Sequence, residues 1–138
     1  MGTNPPNRKT TTLKNSARVH RVRLDRRGRP VGYMKWDDCA NPSDASPLNF
    51  LTGVGGVLYP PGSLHPEVTN EEVFLDICRY ADDVWFYAMA LMQGTMIRKC
   101  PTHSPKGEDF LTNEVVQDTS LKWINTSKWG RCARILVR

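Results

Sequence analysis

The sequence predicts an α/β fold: a mixed sheet with a few flanking helices and a flexible N-terminal arm. Three observations predict it. Short β-prone stretches at Ala17–Leu24, Val31–Trp36 and Val54–Tyr59 are bounded by glycine, proline and aspartate, the residues of turns. From Glu71 the apolar spacing changes to a helical period and stays helical to Met92. At 138 residues, 39% hydrophobic and 24% charged, the chain suits one domain with a modest core and not a disordered polymer.

Taken in order, the first segment, MGTNPPNRKTTTLKNS, is rich in Thr and Asn with a proline pair and reads as a loose arm, residues 1–16. The two β-prone stretches that follow flank Asp25-Arg26-Arg27-Gly28-Arg29-Pro30, so a hairpin or two sequential strands is expected. Ala40–Asn49 carries Pro, Ser and Asn and reads as a loop. Val54 to Tyr59 is apolar and β-prone, entered through Gly53, Gly55 and Gly56 and ended by Pro60-Pro61. It is expected to be a buried strand whose entry needs unusual backbone angles or close approach to a ligand. Asn70 is a good N-cap for a short amphipathic helix over Glu71–Arg79. A second helix starts near Asp82, is apolar almost all round through Met92 and stops at Gly94, so it should be the most buried helix. Thr95–Lys99 suits a short strand. Beyond Pro101 the pattern is weak, with local order expected at Leu121–Ile124.

Charge is unevenly distributed. Residues 1–30 hold nine Lys or Arg against the single acid Asp25, leaving ten basic and thirteen acidic residues for the remainder. Such a segment can bind a nucleic acid, an anionic membrane surface or a diphosphate, or can simply be solvated. No zinc-finger spacing or RNP-type aromatic motif accompanies the charge, which disfavours nucleic acid. No apolar run approaches the roughly 20 residues of a membrane span, and the first residues lack the apolar core of a secretory signal. A cytoplasmic location is the simplest expectation, membrane-peripheral if the arm meets anionic lipid. Cys39, Cys78, Cys100 and Cys132 are scattered without metal-ligand or disulfide spacing, and Cys78 falls among apolar neighbours as a small buried hydrophobe.

Two segments could carry chemistry. The glycine-rich stretch from Gly53 to Pro61 lets backbone approach a ligand and offers Tyr59 as a flat face for a sugar ring; the plainer reading is a tight turn into a core strand. It is not a phosphate loop, because no Gly-Lys-Ser/Thr follows. The second is Asp82-Asp83 at the mouth of the apolar helix. One carboxylate suffices to cap the helix, and the other is then available to accept a proton from a hydroxyl or to orient a sugar. Asp37-Asp38 lacks the spacing of a metal-binding Asp-X-Asp and reads as a loop pair. Of the isolated histidines, only His103 lies where a late metal ligand could.

The order of these pieces resembles a family of bacterial GT-A-type glycosyltransferases of surface polysaccharide and lipopolysaccharide synthesis. The matching residues are Val19-His20-Arg21, Tyr33-Met34-Lys35-Trp36, Pro47 with Asn49-Phe50 through Pro61, and Ala81 to Met89. The resemblance covers about Ala17 to Lys99 and implies a GT-A fold with a mostly parallel sheet. It implies an acceptor site lined by Asp82 and Asp83, one of them the base. Gly53, Gly55, Gly56 and Tyr59 would shape its floor, and Trp85 would pack behind it or stack on sugar. The implied partners are a saccharide acceptor and, in a full-length relative, a nucleotide sugar with a divalent Mn or Mg ion.

Some 16 residues precede the first matching strand, whereas a nucleotide-binding βαβ half needs roughly 100. No Asp-X-Asp is present, and the match stops near Gly130, before a basic tail at 131–138. The expectation is a truncated transferase: a flexible arm (1–16), a partial glycosyltransferase domain (17–130) and the tail. Two alternatives are a non-catalytic saccharide-binding module and a basic nucleic-acid or anionic-surface binder. An open sheet edge would also favour a homo-oligomer.

Overall fold

The computed structural model describes residues 12–15, 18–53 and 56–101. The order is β1 (Thr12–Asn15), β2 (Val19–Arg21), a 3-10 turn (Tyr33–Lys35), β3 (Asp37–Ala40), β4 (Asn49–Leu51), a second 3-10 turn (Pro66–Thr69), α1 (Glu71–Ile77), α2 (Asp82–Met92) and β5 (Met96–Lys99). The α/β class stands, with both kinds of strand pairing. β3, β2 and β4 form an antiparallel sheet, and β1 pairs with β5 in parallel. The sheet is thus not mostly parallel among the described residues.

A buried amide joins the two sheets. Asn49 is fully buried; its Nδ2 donates to the Ile97 carbonyl at 2.8 Å and to the Asp44 carbonyl at 3.0 Å. Its Oδ1 accepts from Arg21 Nη1 at 2.6 Å. A polar side chain can be buried at this place because its donors and acceptor are occupied. Ser46 bridges to Ile97 beside it.

The core is strand residues Val19, Phe50, Leu51 and Ile97 together with Val84, Trp85, Tyr87, Ala88, Met89 and Ala90 of α2. Phe50 is its hub, with ring centroids 5.2 Å from Trp36 and 5.1 Å from Tyr87, both edge-on. The Tyr87 hydroxyl donates to the Pro47 carbonyl, tying α2 to the turn before β4. Both helices lie where the periodicity puts them. Asn70 Oδ1 accepts from Val73 N at 3.2 Å as the cap of α1, and Gly94 takes a φ of 76° just past α2. α1 buries no residue fully, whereas six residues of α2 are buried.

Four expectations change. Of the strand expected over Val54–Tyr59, the described residues 56–59 form none: the strand is Asn49–Leu51, and residues 56–60 run irregularly. Gly56 N–H donates to Gly53 O at 2.9 Å with Gly56 at φ 71°, Leu58 is 64% exposed, and Pro60 and Pro61 cannot donate to a ladder. Tyr33–Lys35 is a 3-10 turn and not part of a strand, because the Trp36 ring folds back into the core and donates to the Val31 carbonyl at 2.9 Å. Asp37 and Asp38 lie in β3 and not in a loop. Partners from β2 and the hairpin offset the poor strand preference of aspartate: Arg23 binds Asp37 at 2.6 Å, and His20 Nδ1 lies 2.8 Å from Asp38. Thr12–Asn15, counted with the arm, forms β1 by adding β-prone Thr and Leu to the edge of β5. Residues 1–11, the expected order at Leu121–Ile124, His103, Cys132 and the tail lie outside the described residues.

Candidate functional site

The glycine segment and the acidic pair, 30 residues apart, meet. Gly53 follows β4, and its N–H donates to Asp83 Oδ1 at 2.9 Å. Asp83 is in the first turn of α2, whose N-cap is Ala81 and carries no side-chain cap hydrogen bond. Capping, the plain role for either aspartate, is therefore not how Asp83 is used: its carboxylate reaches across to another segment.

The approach is so close that any residue other than glycine would force the carboxylate to shift. A Cβ built on Gly53 would lie 2.6 Å from Asp83 Oδ1, so any side chain there collides with the carboxylate. Gly56 is needed for a different reason. Nothing lies within 4 Å of a Cβ placed on it, but its φ of +71° favours glycine at the turn. Gly55 lies outside the described residues.

Past that turn the chain delivers Tyr59 to the same corner. Its ring sits 5.4 Å from Phe86, tilted by 41°. Burial, then the charges of Asp83 and Asp82, push the Tyr59 phenol up to about 12, so it is a neutral O–H donor at physiological pH. Asp83 is raised to about 6, first by burial and second by the neighbouring Asp82, while the Gly53 N–H opposes the rise. Asp82 is exposed at the rim. The corner thus combines a half-buried carboxylate titrating just below neutrality, a second carboxylate in solvent and an aromatic face. Such a set can hydrogen-bond hydroxyl groups and accept a proton from one.

Trp85 is not part of this surface. It is 3% exposed, its Nε1 donates to the Val68 carbonyl at 3.0 Å, and its ring lies 5.8 Å from Phe74. It packs behind the site and cannot stack on a sugar. Sequence reading missed Phe86, the ring partner of Tyr59. Its position three residues after Asp83, on the same helix face, is the signal that would have found it.

Among the described residues no three His, Cys, Asp or Glu side chains come together to hold a metal ion. The described residues thus offer no such cluster to the Mn or Mg expected of a full-length relative. Nor do they include a helix long and apolar enough to cross a membrane.

Four arginines of the first thirty residues lie within 4.0 Å of a carboxylate. Arg23 pairs with Asp37 at 2.6 Å, Arg29 with Asp25 at 3.0 Å, Arg21 with Asp44 at 3.7 Å and Arg18 with Asp38 at 4.0 Å. Asp25 also organises the hairpin loop, its Oδ1 accepting from the backbone of Arg27 at 2.8 Å and Arg29 at 3.0 Å around Gly28 at φ 74°.

Compared with known proteins, the chain matches no family model, no curated protein and no solved structure.

Proposed function

We propose that the corner formed by Gly53, Tyr59, Asp82 and Asp83 binds a saccharide and is the acceptor side of a glycosyl-transfer site of GT-A type. In that reaction Asp83 takes the proton of an acceptor hydroxyl as its oxygen bonds to the anomeric carbon of a nucleotide sugar. The bond from that carbon to the nucleoside diphosphate breaks, and the leaving group keeps the electron pair. Tyr59 offers its ring to the sugar, and Asp82 hydrogen-bonds hydroxyls at the rim. The described residues contribute only to the acceptor side of this step.

The observation that carries the reading is the bond between Asp83 and Gly53. If that bond served stability alone, asparagine would accept the same N–H without placing a second negative charge beside Asp82. Burial and Asp82 both oppose the ionised form of Asp83, so the carboxylate costs stability at neutral pH. A group kept at a cost to the fold, in a corner that also holds an aromatic face, points to function.

The test is saturable binding to a glycan array, followed by calorimetry on the strongest ligand with wild type, Tyr59→Ala and Asp83→Asn. The reading expects a weak, specific saccharide ligand whose affinity falls roughly tenfold or more in Tyr59→Ala. An array with no saturable ligand would sink it. Transfer assays with nucleotide sugars then separate the two uses of the site: turnover lost in Asp83→Asn marks a transferase, and binding without turnover marks the non-catalytic saccharide module. A basic nucleic-acid or anionic-surface binder has less support, because the arginines of the hairpin region are mostly committed to Asp25, Asp37, Asp38 and Asp44.

A further inference from the structure

We propose that Gly53 is a positioning residue: its N–H pins one oxygen of the Asp83 carboxylate, and its missing side chain keeps the space that this carboxylate occupies, leaving Oδ2 for the acceptor. The identity of what meets Oδ2 rests on the saccharide reading above; the coupling between Gly53 and Asp83 does not.

Three observations carry the inference. The hydrogen bond is 2.9 Å long and made by backbone, so no rotamer change of a donor side chain can release it. A Cβ at position 53 would lie 2.6 Å from Oδ1, 3.6 Å from Cγ and 3.9 Å from Oδ2, so the side chain excluded by glycine would fall on the pinned oxygen. Gly53 is not among the glycines with positive φ, so its role is space and not backbone conformation. Gly56, three residues on, has the reverse need. The pair therefore forms a built-in control: alanine at 53 displaces the carboxylate, and alanine at 56 strains the turn.

The pinning has an electrostatic consequence. A backbone N–H favours the ionised carboxylate, working against burial and against Asp82 on the same turn of α2. The other titratable group at this corner, Tyr59, is neutral across the range in which Asp83 titrates. If Gly53 is replaced and the carboxylate swings away, the remaining influences on Asp83 are those that hold its proton on, provided it stays buried.

The experiment is a carbon-detected NMR titration of the Asp83 carboxyl group in the intact chain, from pH 3.5 to 8. Wild type, Gly53→Ala and Gly56→Ala are compared, with Asp83→Asn to assign the signal. The expected result is a midpoint near 6 in wild type, an upward move of roughly half to one unit in Gly53→Ala, and little change in Gly56→Ala. Equal midpoints in wild type and a folded Gly53→Ala would overturn the proposal, as would an equal move in Gly56→Ala. The Gly53 amide proton supplies a reading that needs no glycine variant. Its chemical shift should follow the Asp83 titration in wild type and lose that inflection in Asp83→Asn; an amide shift indifferent to Asp83 overturns the pinning. These readings use no ligand, so a silent glycan array would remove the saccharide function and leave the titration result standing. With a ligand in hand, Gly53→Ala should lose more affinity at pH 6 than at pH 8, whereas a merely structural lesion lowers affinity equally at both.

Discussion

Two aspartates show how this small fold treats the same carboxyl group in opposite ways. Asp25 lies in the exposed hairpin loop, where two backbone N–H groups and the Arg29 guanidinium hold its carboxyl below the usual range; the largest cause is the N–H of Arg29. Asp83 lies in a half-buried corner, where burial and the neighbouring Asp82 raise it to about 6 against a single opposing N–H. Both accept backbone hydrogen bonds, so bond-making alone does not decide protonation. What decides it is whether a cation and solvent accompany the bonds. The hairpin is a region where each acid meets a base and the result is a settled surface. The corner is left electrostatically unsettled, which is what the proposed proton-accepting role would require.

The contrast can be broken most forcefully from behind the site. Trp85→Ala should cost about 3–5 kcal/mol in denaturant unfolding, because the ring is 3% exposed and its indole N–H is bonded within the core. A cost near zero would mean that the corner does not rest on the core at all.

Next in size is the pH dependence carried by Asp83. Its folded pKa lies above the value of about 3.9 for an unfolded chain, so the native state binds more protons between the two. This group therefore makes stability fall as pH rises from about 4 to about 6, with no further change above. Asp83→Asn should remove that decline and raise the melting temperature at pH 7.5, while the Gly53 contact persists through the amide oxygen. A variant less stable than wild type at pH 7.5 would place Asp83 among structural residues and reverse the contrast.

Asp25 should behave with the opposite sign. Its folded pKa is lowered, so its contribution is present above the unfolded value and is lost as pH falls through the folded one. Asp25→Ala should thus lower the melting temperature slightly at pH 7, and the difference from wild type should shrink as pH falls below the ordinary carboxylate range. The smallest change expected is Arg23→Ala. Its ion pair with Asp37 is short but lies in solvent, so thermal melting in 0.5 M salt should be indistinguishable from wild type.

The helices were more legible than the strands, and for a physical reason. α2 begins at Asp82 and is followed by Gly94 as expected, because an apolar run with a glycine stop constrains a helix locally. Strands of three or four residues have too little length to show a period. β4 hid behind Asn49, a polar residue that is buried only because Ile97, Asp44 and Arg21 occupy its amide. β3 hid behind two aspartates whose partners come from other segments. At the site, the residue types were visible but their use was not. Asp82-Asp83 before an apolar run looks like a cap, and nothing near it in the chain indicates that Gly53 arrives to claim Oδ1. Tyr59 stands out in the sequence as a flat ring, whereas nothing near Trp85 in the chain decides its burial, which comes from Val68 and Phe74 around it.

The parallel pairing of β1 with β5 has a consequence for how the molecule assembles. It joins the first described strand to the last, so β1 has no partner on this sheet until nearly all of the described chain has been made. Closing that long a loop is entropically the most demanding of the strand pairings among the described residues, and it comes after the β2–β4 sheet and α2 can already have packed around Phe50. It follows that β1 should be the last strand to dock and the first to open, with amide protons that exchange with solvent sooner than those of β2. The corner at Gly53 and Asp83, bounded by β4 and α2, can then form and persist through openings of β1 that never reach it.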